Sequence, residues 1–583
     1  MTDRNAPAAP NKAGSRVQRW IYAALYGRDV DRNVKAKARL GLAIVAFSAV
    51  YCVIALRLVM FATTGDGSDG RRSVGQDATG TARPDIFDRN GLLLATDVKM
   101  PSLFGEPRKI IDVDEAVELL TAVLPDLDAN EVRDRLSSKR GFAWLRRDIT
   151  PKQRQEIHRL GIPGLGFLPE NKRVYPNGPV VSHEIGHVNI DNQGIAGIEK
   201  WLDGQGLAAL HMAGFAVDRL QKPVELALDL RVQFAMREEL VAALEKYRAK
   251  AAAGLIADVN TGEIVSLVSV PDYDPNNPRE ANDPTRINRL TTGVYEMGST
   301  FKALTLAMAL DSGRIGLNST FDARVPLRYG RFTINDYKGQ KRVLTVPEIF
   351  TYSSNIGTAR MALALGVDYH QAFLKKLGQL DRLRTELPES AEPLLPKRWG
   401  ELNTVTIAFG HGLSVAPLQA VMGISALVNG GKLIPPTFLK RDQAEADKLA
   451  RRVIKPETSD KMRYLMRLNV EKGSGSRANV PGYYVGGKTG TSEKVVNGRY
   501  SKTKLLNSFT SIFPSDKPRY LLLIMIDEPQ PTPDSHGYAT SGWNTAPVTA
   551  KVIERVAPLL DIKPRLDLPK AEQLILAGAK GTP

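Results

Sequence analysis

Cysteine is almost absent from the sequence: Cys52 is the only one in 583 residues. An intramolecular disulfide and a cysteine-based metal cluster are therefore excluded, and packing must stabilise the fold. The sequence also lacks a fixed repeat of about 20 to 50 residues, which excludes repeat architectures. No long low-complexity block occurs, so most of the chain is expected to fold.

The composition is that of a globular protein, with 43% hydrophobic and 24% charged residues. A chain of 583 residues exceeds what one hydrophobic core usually organises, so two or more domains are expected. The net charge is +16. No nucleic-acid-binding pattern accompanies the dispersed basic residues, and a negatively charged membrane or wall polymer fits this charge better.

One long apolar run, at residues 40–63, is broken only by Arg57. It is long enough to cross about 30 Å of hydrocarbon, and too long for the apolar core of a cleaved signal peptide. The preceding residues 1–39 carry nine Lys/Arg against three Asp, a net charge of +6. The positive-inside rule therefore predicts a cytoplasmic arm at 1–39, a transmembrane helix at 40–63, and the rest of the chain outside the inner membrane.

The exported part is predicted to contain two domains. A Gly/Ser/Asp-rich stalk (65–81) leads into a mixture of short strands and helices with many turns, so residues 64–223 are interpreted as a stalk and a non-catalytic domain. Residues 224–562 contain a helical pattern, a β-hairpin turning at Asn260-Thr261-Gly262, and three strand-like runs before an apolar helix at 546–560. This order predicts an α+β domain around an antiparallel sheet, followed by a tail at 563–583.

The first chemical motif is Ser299-Thr300-Phe301-Lys302. Positions i and i+3 share a helix face, so the Lys302 amine can remove the proton of the Ser299 hydroxyl if burial lowers its pKa. The apolar run that follows predicts that burial. Ser299 at the helix start is also placed for its N–H to stabilise an oxyanion.

Two further motifs follow in the same predicted domain. In Ser353-Ser354-Asn355, Ser353 could relay a proton and the Asn355 amide could hold a substrate peptide group. In the predicted edge strand Lys488-Thr489-Gly490-Thr491, the lysine and the two threonine hydroxyls could bind a carboxylate. Gly490 would let a substrate backbone approach, and the N–H of Thr491 would complete the oxyanion hole. Each motif is weak alone, and their order within one domain carries the prediction.

A competing pattern, His183-Glu184-Ile185-Gly186-His187, matches the H-E-x-x-H zinc signature. Gly186 weakens the helix that this signature needs, and Ile190 stands where the extended pattern requires glycine. No metal and no cofactor are therefore expected.

Taken together, the motifs resemble those of the class B penicillin-binding proteins. The segment at 83–91 (RPDIFDRNG) looks like the family's first pedestal motif, with Pro84 where glycine is usual, and Glu296-Met297-Gly298 departs from the usual Glu-Pro-Gly. The resemblance covers residues 83–560, and the segment at 507–529 (NSFTSIFPSDKPRYLLLIMIDEP) looks most like the division, or septal, type.

The resemblance implies an elongated pedestal of the dimerisation type, followed by a transpeptidase domain with a five-stranded antiparallel sheet sandwiched by helices. It also implies a D,D-transpeptidase that cross-links peptidoglycan stem peptides through an acyl-serine and is inhibited by β-lactams. Expected partners are the stem peptides, a polytopic membrane glycosyltransferase of the division machinery and other division proteins. The expected location is the inner membrane at the septum, with the catalytic domain in the periplasm.

Alternatives remain open. An elongation-type class B transpeptidase shares every motif. A β-lactamase needs no domain of the size of 64–223, a β-lactam sensor would carry several membrane helices, and a silent scaffold would not need the intact motif residues.

Overall fold

The computed structural model describes residues 32–64, 82–207, 222–330, 332–568 and 570–571, together with Arg16 and Gln18. Contacts within the chain divide it into two units, Met1–Gln76 and Asp77–Pro583.

The described part of the N-terminal unit contains a long helix, α1 (Arg32–Thr64). Its segment Arg39–Arg57 has a mean hydropathy of 2.1 and is long and apolar enough to cross a membrane. Its side chains, where described, are almost all exposed to solvent, so no described residue of this unit covers the apolar surface. The predicted arm at 1–39 lies largely, and the predicted stalk at 65–81 entirely, outside the described residues.

The second unit begins with a mixed sheet in the order β3-β2-β1-β5, in which β4 also pairs with β2. The strands are β1 (Ile86–Phe87), β2 (Leu93–Gly105), β3 (Ala143–Arg146), β4 (Leu165–Val174) and β5 (Val224–Glu225). With 13 and 10 residues, β2 and β4 are longer than the short strands expected from the sequence.

Three amphipathic helices pack on this sheet: α2 (Val113–Val123), α3 (Ala129–Leu136) and α4 (Pro151–Arg159). Each begins at a polar cap that satisfies free backbone N–H groups: Asp112, Asp128 and, in a capping box with Gln153, Thr150. Their apolar faces share one core with β2 and β3, whose buried members include Leu103, Leu120, Leu136, Leu145 and Ile157.

A buried ion-pair network joins distant parts of this lobe. Two short helices lie in this lobe, α5 (Ser182–Ile185) and α6 (Gly197–Leu202), and Glu199 of α6 belongs to the network. The Glu199 carboxylate accepts from Arg83 at 2.7 Å and from Arg173 at 2.6 Å, and all three side chains are fully buried. Asp97 pairs with Arg173 at 3.1 Å. Because an unpaired buried charge costs about 3–5 kcal/mol, these pairs fix α6 against β2 and β4.

The second sheet has the order β14-β15-β16-β6-β7, and every neighbouring pair is antiparallel. Its strands are β6 (Ala251–Asp258), β7 (Ile264–Val270), β14 (Gly486–Val496), β15 (Arg499–Phe513) and β16 (Tyr520–Asp527). The outermost strand, β14, carries the Lys488-Thr489-Gly490-Thr491 motif, so its outer edge faces the site described below.

Successive side chains along a strand point to opposite faces of the sheet, and the two faces belong to different hydrophobic cores. Leu255 of β6 belongs to the core that contains Leu304, whereas its neighbour Ile256 belongs to the core that contains Met236 and Val552. Helices therefore cover both faces of the sheet: α8 (Lys302–Asp311) lies on one, and α7 (Leu230–Lys246) and α16 (Thr545–Leu559) lie on the other.

The remaining α-helices among the described residues are α9 (Val346–Thr351), α10 (Asn355–Leu365), α11 (Val367–Lys376), α12 (Glu401–Ala408), α13 (Pro417–Ala426), α14 (Gln443–Leu449) and α15 (Pro456–Lys472). Three small antiparallel pairs complete the domain, and they are formed by β8 (Thr320–Asp322) with β11 (Val343–Thr345), β9 (Leu327–Tyr329) with β10 (Phe332–Ile334), and β12 (Lys432–Leu433) with β13 (Arg451–Arg452).

The α+β class, the hairpin, the three later strands and the apolar helix are confirmed. The helical pattern predicted from residue 224 was wrong at its start, because Val224–Glu225 form β5 and pair in parallel with β1. The helix begins only at Leu230, where the Asp229 carboxylate caps the N–H of Arg231. The domain boundaries remain predictions, and residues 224–225 lie in the first sheet.

Candidate active site

Ser299 lies in a single 3₁₀ turn, Gly298–Phe301, that leads directly into α8. Residues three apart nearly eclipse one another in such a turn, so Ser299 and Lys302 share one face. The Ser299 side chain is half-buried, and within the described part of the chain its hydroxyl makes no hydrogen bond. This hydroxyl is therefore available to a ligand.

Glycines allow the turn before Ser299 to lie against its neighbours. The Gly298 N–H donates to the Gly410 carbonyl at 3.1 Å. A Cβ on Gly410 would lie 1.9 Å from the Gly298 oxygen, and Gly410 has a φ of +92°. No other residue type fits at Gly410 without displacing the serine turn.

The Lys302 side chain is fully buried. Its Nζ donates to the Ser353 carbonyl at 2.5 Å, to the Ser353 hydroxyl at 3.0 Å and to Asn355 Oδ1 at 2.7 Å. Burial lowers the pKa of Lys302 well below its ordinary value, the charge of Lys488 lowers it further, and Asp336 opposes both. The predicted burial of Lys302 is confirmed.

Lys488 reaches the same hydroxyl from the other side. Its Nζ donates to Ser353 Oγ at 3.0 Å and to Thr489 Oγ1 at 3.3 Å, and it lies 5.7 Å from the centroid of the Phe350 ring. Burial lowers the pKa of Lys488 to about 7. The ammonium points inward to Ser353, so direct contact with a substrate carboxylate would require it to leave these partners.

Ser353 thus holds one hydroxyl between two amines. A hydroxyl has one proton to donate, so it can donate to a neutral amine while it accepts from a charged one. Its φ of +57° is unusual for a residue with a side chain, which indicates a position fixed by its surroundings. The arrangement is a short path for a proton between Lys302 and Lys488.

The other strand-motif residues are held by the protein itself. The Thr489 and Ser474 hydroxyls lie 2.7 Å apart, and Thr491 Oγ1 accepts from the N–H of Ser541 at 3.1 Å. A Cβ on Gly490 would lie 2.7 Å from the carbonyl oxygen of Met297. Gly490 therefore permits the close approach of the serine loop, and its role toward a substrate backbone stays a prediction.

Sequence reasoning missed the support of the Ser353 loop. Asp336 accepts from Ser354 Oγ at 2.7 Å and from the N–H of Ile356 at 2.9 Å, while the Asn355 amide donates to the Asn335 carbonyl at 2.9 Å. Ser354 also caps α10 by accepting from the N–H of Gly357. Asp336 lies in an irregular segment without a motif, and no sequence signal could have found it.

Replacing Ser353 by alanine is expected to slow acylation by a β-lactam about 10²-fold, because it removes the hydroxyl between the two amines. Ser354→Ala is the matched control. It removes a helix cap and is expected to cost about 1 kcal/mol of stability with a smaller effect on acylation. Stopped-flow acylation rates and thermal unfolding of both variants measure this. Equal acylation rates for the two variants would contradict a proton-relay role for Ser353.

The H-E-x-x-H pattern does not form a zinc-site helix. α5 ends at Ile185, and Gly186 has a φ of +76°, so His183 and His187 are not on one continuous helix. A Cβ on Gly186 would lie 1.9 Å from the Ala196 oxygen, so close backbone packing explains why a glycine stands at this position. Within the described ranges, no group of three or more His, Cys, Asp or Glu side chains could hold a metal ion.

Glu184 in this pattern is fully buried, and in the described part of the chain its carboxyl has no hydrogen-bond partner. Burial raises the pKa of Glu184 well above its ordinary value of 4.5. The folded protein therefore holds this carboxyl protonated at pH values where the unfolded chain releases the proton.

Wild-type stability should consequently fall, relative to Glu184→Gln, as the pH rises above 4.5. The difference grows by about 1.4 kcal/mol for each pH unit in which only the unfolded state is ionised. Below pH 4.5, where both states are protonated, the difference should stop changing with pH. Denaturant unfolding between pH 4 and 8 measures it, with Glu118→Gln on the exposed face of α2 as the control. Parallel pH profiles for wild type and Glu184→Gln would contradict the prediction.

An accessible serine on a helix start, a buried lysine one turn later, and a second buried lysine on an edge strand define a serine acyl-transfer centre of the S-x-x-K class. The chain also matches two family models: "Penicillin binding protein transpeptidase domain" at residues 252–554 and "Penicillin-binding Protein dimerisation domain" at residues 78–204. The chain belongs to the class B penicillin-binding proteins.

Curated relatives are similar over most of their length. The chain is 41% identical to a probable peptidoglycan D,D-transpeptidase FtsI of Caulobacter vibrioides, over 84% of this chain and 83% of the relative. It is 32% identical to a probable peptidoglycan D,D-transpeptidase PenA of Neisseria gonorrhoeae (93% and 96%), and 29% identical to the peptidoglycan D,D-transpeptidase FtsI of Escherichia coli strain K12 (85% and 86%).

Among solved structures, a peptidoglycan synthetase from Bifidobacterium adolescentis has the same fold. It superposes with a TM-score of 0.65 over 85% of this chain and 98% of that one, at 22% identity.

Proposed function

We propose that this protein is a peptidoglycan D,D-transpeptidase that cross-links stem peptides through an acyl intermediate on Ser299, during septal wall synthesis in cell division. The observation that carries the proposal is the Ser353 hydroxyl, held 3.0 Å from the amine of Lys302 and 3.0 Å from that of Lys488, beside the serine turn. Relatives with this activity in their names support it.

Acylation begins when a neutral Lys302 takes the Ser299 proton. Ser299 Oγ then forms a bond with the carbonyl carbon of the penultimate D-alanine, and the bond to the terminal D-alanine breaks. The departing amine needs a proton, which Lys302 returns through the Ser353 hydroxyl. The depressed pKa values of Lys302 and Lys488 support this cycle, because an amine protonated at neutral pH cannot act as a base.

Binding and charge stabilisation are assigned to backbone and polar groups around the serine. The N–H groups of Ser299 and Thr491 would form the oxyanion hole, and the close approach of the Gly298 turn to Thr491 supports this pairing. Asn355 would hold a substrate peptide group, and Thr489, Gly490 and Thr491 would line its carboxylate and backbone. In the second half-reaction an acceptor amine attacks the acyl carbon and Ser299 is released.

The proposal also assigns a role to each part of the chain. Residues 1–39 form a cytoplasmic arm, 40–63 a membrane helix, 64–223 the stalk and pedestal, 224–562 the transpeptidase domain and 563–583 a tail. The apolar surface of α1 supports a membrane anchor. Partners would be a polytopic glycosyltransferase and other division proteins, and β-lactams would act as covalent inhibitors.

The activity is tested with the full-length protein in detergent, a stem pentapeptide that ends in D-alanyl-D-alanine, and an acceptor amine. Release of D-alanine and a cross-linked product, both blocked by benzylpenicillin, are expected in mass spectrometry. If the partner glycosyltransferase is present and neither product forms, the proposal fails.

The septal role is tested separately by imaging a fluorescent fusion expressed from the native locus. A band at midcell is expected. Uniform lateral signal would assign the protein to side-wall elongation and leave the chemistry unchanged.

A further inference from the structure

Two segments outside the motifs touch each other, and each is connected to a different motif. Lys338 lies in a turn between β10 and β11, and Tyr538 lies between β16 and α16. The Lys338 ammonium lies 4.7 Å from the centroid of the Tyr538 ring, a cation–π contact. Two hundred residues of sequence separate the partners, so the contact depends on the tertiary fold alone.

The Lys338 segment is anchored to the start of α10, which carries Asn355 and forms one wall of the proposed binding cleft. Asp336, two residues before Lys338, accepts from Ser354 Oγ and from the N–H of Ile356. Beyond this anchor the chain at 337–341 is mostly exposed, and Tyr337 is 74% exposed. Residues 337–341, called the arm below, therefore project from a fixed point with little packing of their own.

Tyr538 lies in the segment that packs beside β14, the strand that carries Thr491 and forms the opposite wall of the proposed cleft. Its ring stacks on Trp543 at 5.6 Å with an interplanar angle of 14°, and the Arg477 guanidinium lies 3.3 Å from the Trp543 ring centroid. The N–H of Ser541 is hydrogen-bonded to Thr491 Oγ1. Tyr538 is consequently a fixed post beside the edge strand.

The contact between arm and post therefore joins the two walls between which a substrate peptide would lie. It is weak and accessible, because Tyr538 is 38% exposed and Lys338 is exposed. Within the described ranges, no carboxylate lies within 4.0 Å of the Lys338 ammonium to hold the arm elsewhere. A contact of this kind can open without disturbing the buried amines.

We propose that Lys338 and Tyr538 form a gate that determines how bulky a ligand can enter the cleft between Asn355 and Thr491. The inference rests on the proposed function, because it assumes that this cleft is where acyl donors bind. Opening breaks only the cation–π contact and swings the arm away from the post.

The test measures acylation of the full-length protein by two penicillins: benzylpenicillin, and a penicillin that carries a large dye on its side chain. Lys338→Met and Tyr538→Leu should each raise the second-order rate constant for the dye-bearing penicillin about two- to fivefold. The rate for benzylpenicillin should stay unchanged, as should the limiting rate of acylation at saturation. The ratio of the two second-order rate constants is the readout.

Conservative variants are the matched controls. Tyr538→Phe keeps the ring face and Lys338→Arg keeps the cation, so both should retain the wild-type ratio. Because both residues act through one contact, the double variant Lys338→Met/Tyr538→Leu should show no larger change than either single variant. A general loosening of the domain would instead change both penicillin rates, and thermal unfolding monitors it.

An unchanged ratio in both single variants, or effects that multiply in the double variant, would overturn the gate. Equal effects of Tyr538→Phe and Tyr538→Leu would overturn it as well. These outcomes are distinct from a failure of the proposed function, in which the wild-type protein is acylated by neither penicillin and both proposals fall together.

Discussion

Replacing Ser299 by alanine is expected to abolish covalent labelling by a fluorescent penicillin. Within its turn Ser299 shares a face with the buried Lys302, whereas the Ser353 hydroxyl is held between the two amines, and an acyl-enzyme needs an oxygen to carry the acyl group. The loss should be complete within detection, and not partial, because water held in the site would give hydrolysis without a covalent adduct. Gel fluorescence after denaturation measures it.

Ser312→Ala is the matched control for this experiment. Ser312 lies at the other end of α8, where its hydroxyl donates to the carbonyl of Ala309. Labelling of this variant should match the wild type. Persistent labelling of the Ser299→Ala variant would assign the nucleophile to another residue.

The second large effect is expected at Lys302. Lys302→Met fills a similar volume without the amine, and the acylation rate should fall about 10³- to 10⁴-fold because no base remains to take the serine proton. Lys302→Arg separates charge from basicity, since a guanidinium keeps the positive charge and does not lose its proton in proteins. Both variants should be slow in single-turnover acylation. Recovery of the rate in Lys302→Arg would show that charge, and not proton transfer, is what the site requires.

The pH dependence of wild-type acylation provides an independent check on Lys302. The rate should rise with pH as the amine loses its proton, with a midpoint well below the ordinary lysine value of 10.5. Lys488→Met removes a neighbouring positive charge that lowers the pKa of Lys302, so the midpoint should move to higher pH. A midpoint that moves to lower pH would contradict the coupling between the two amines.

The elements that carry the motif residues could be predicted from the sequence because each motif is local. Ser299 and Lys302 are one turn apart, and Ser353 and Asn355 lie at a helix start. Lys488 lies in a strand that the apolar residues around it predict. The hairpin was equally clear, because turn residues at 260–262 separate two apolar runs.

What could not be predicted depends on contacts between distant segments. The residues around Val224 have a helical pattern, yet Val224 pairs in parallel with Ile86 of β1 as part of a strand. Tertiary pairing outweighs such a weak local preference for helix. The inward direction of Lys488 depends on where Ser353 lies, and the contact of Lys338 with Tyr538 joins two irregular segments. No periodicity or spacing encodes these meetings.

The strand order of the second sheet has a consequence for how the protein is made. Of the five strands in this sheet, β6 is synthesised first and β16 last. The two are nevertheless neighbours, because Asp258 pairs with Tyr520. A nascent chain on the ribosome therefore carries Ser299 and Lys302 long before the strand with Lys488 exists to pair with β15. Half-made chains cannot assemble the cleft, so acyl transfer begins only after translation has delivered almost the whole domain.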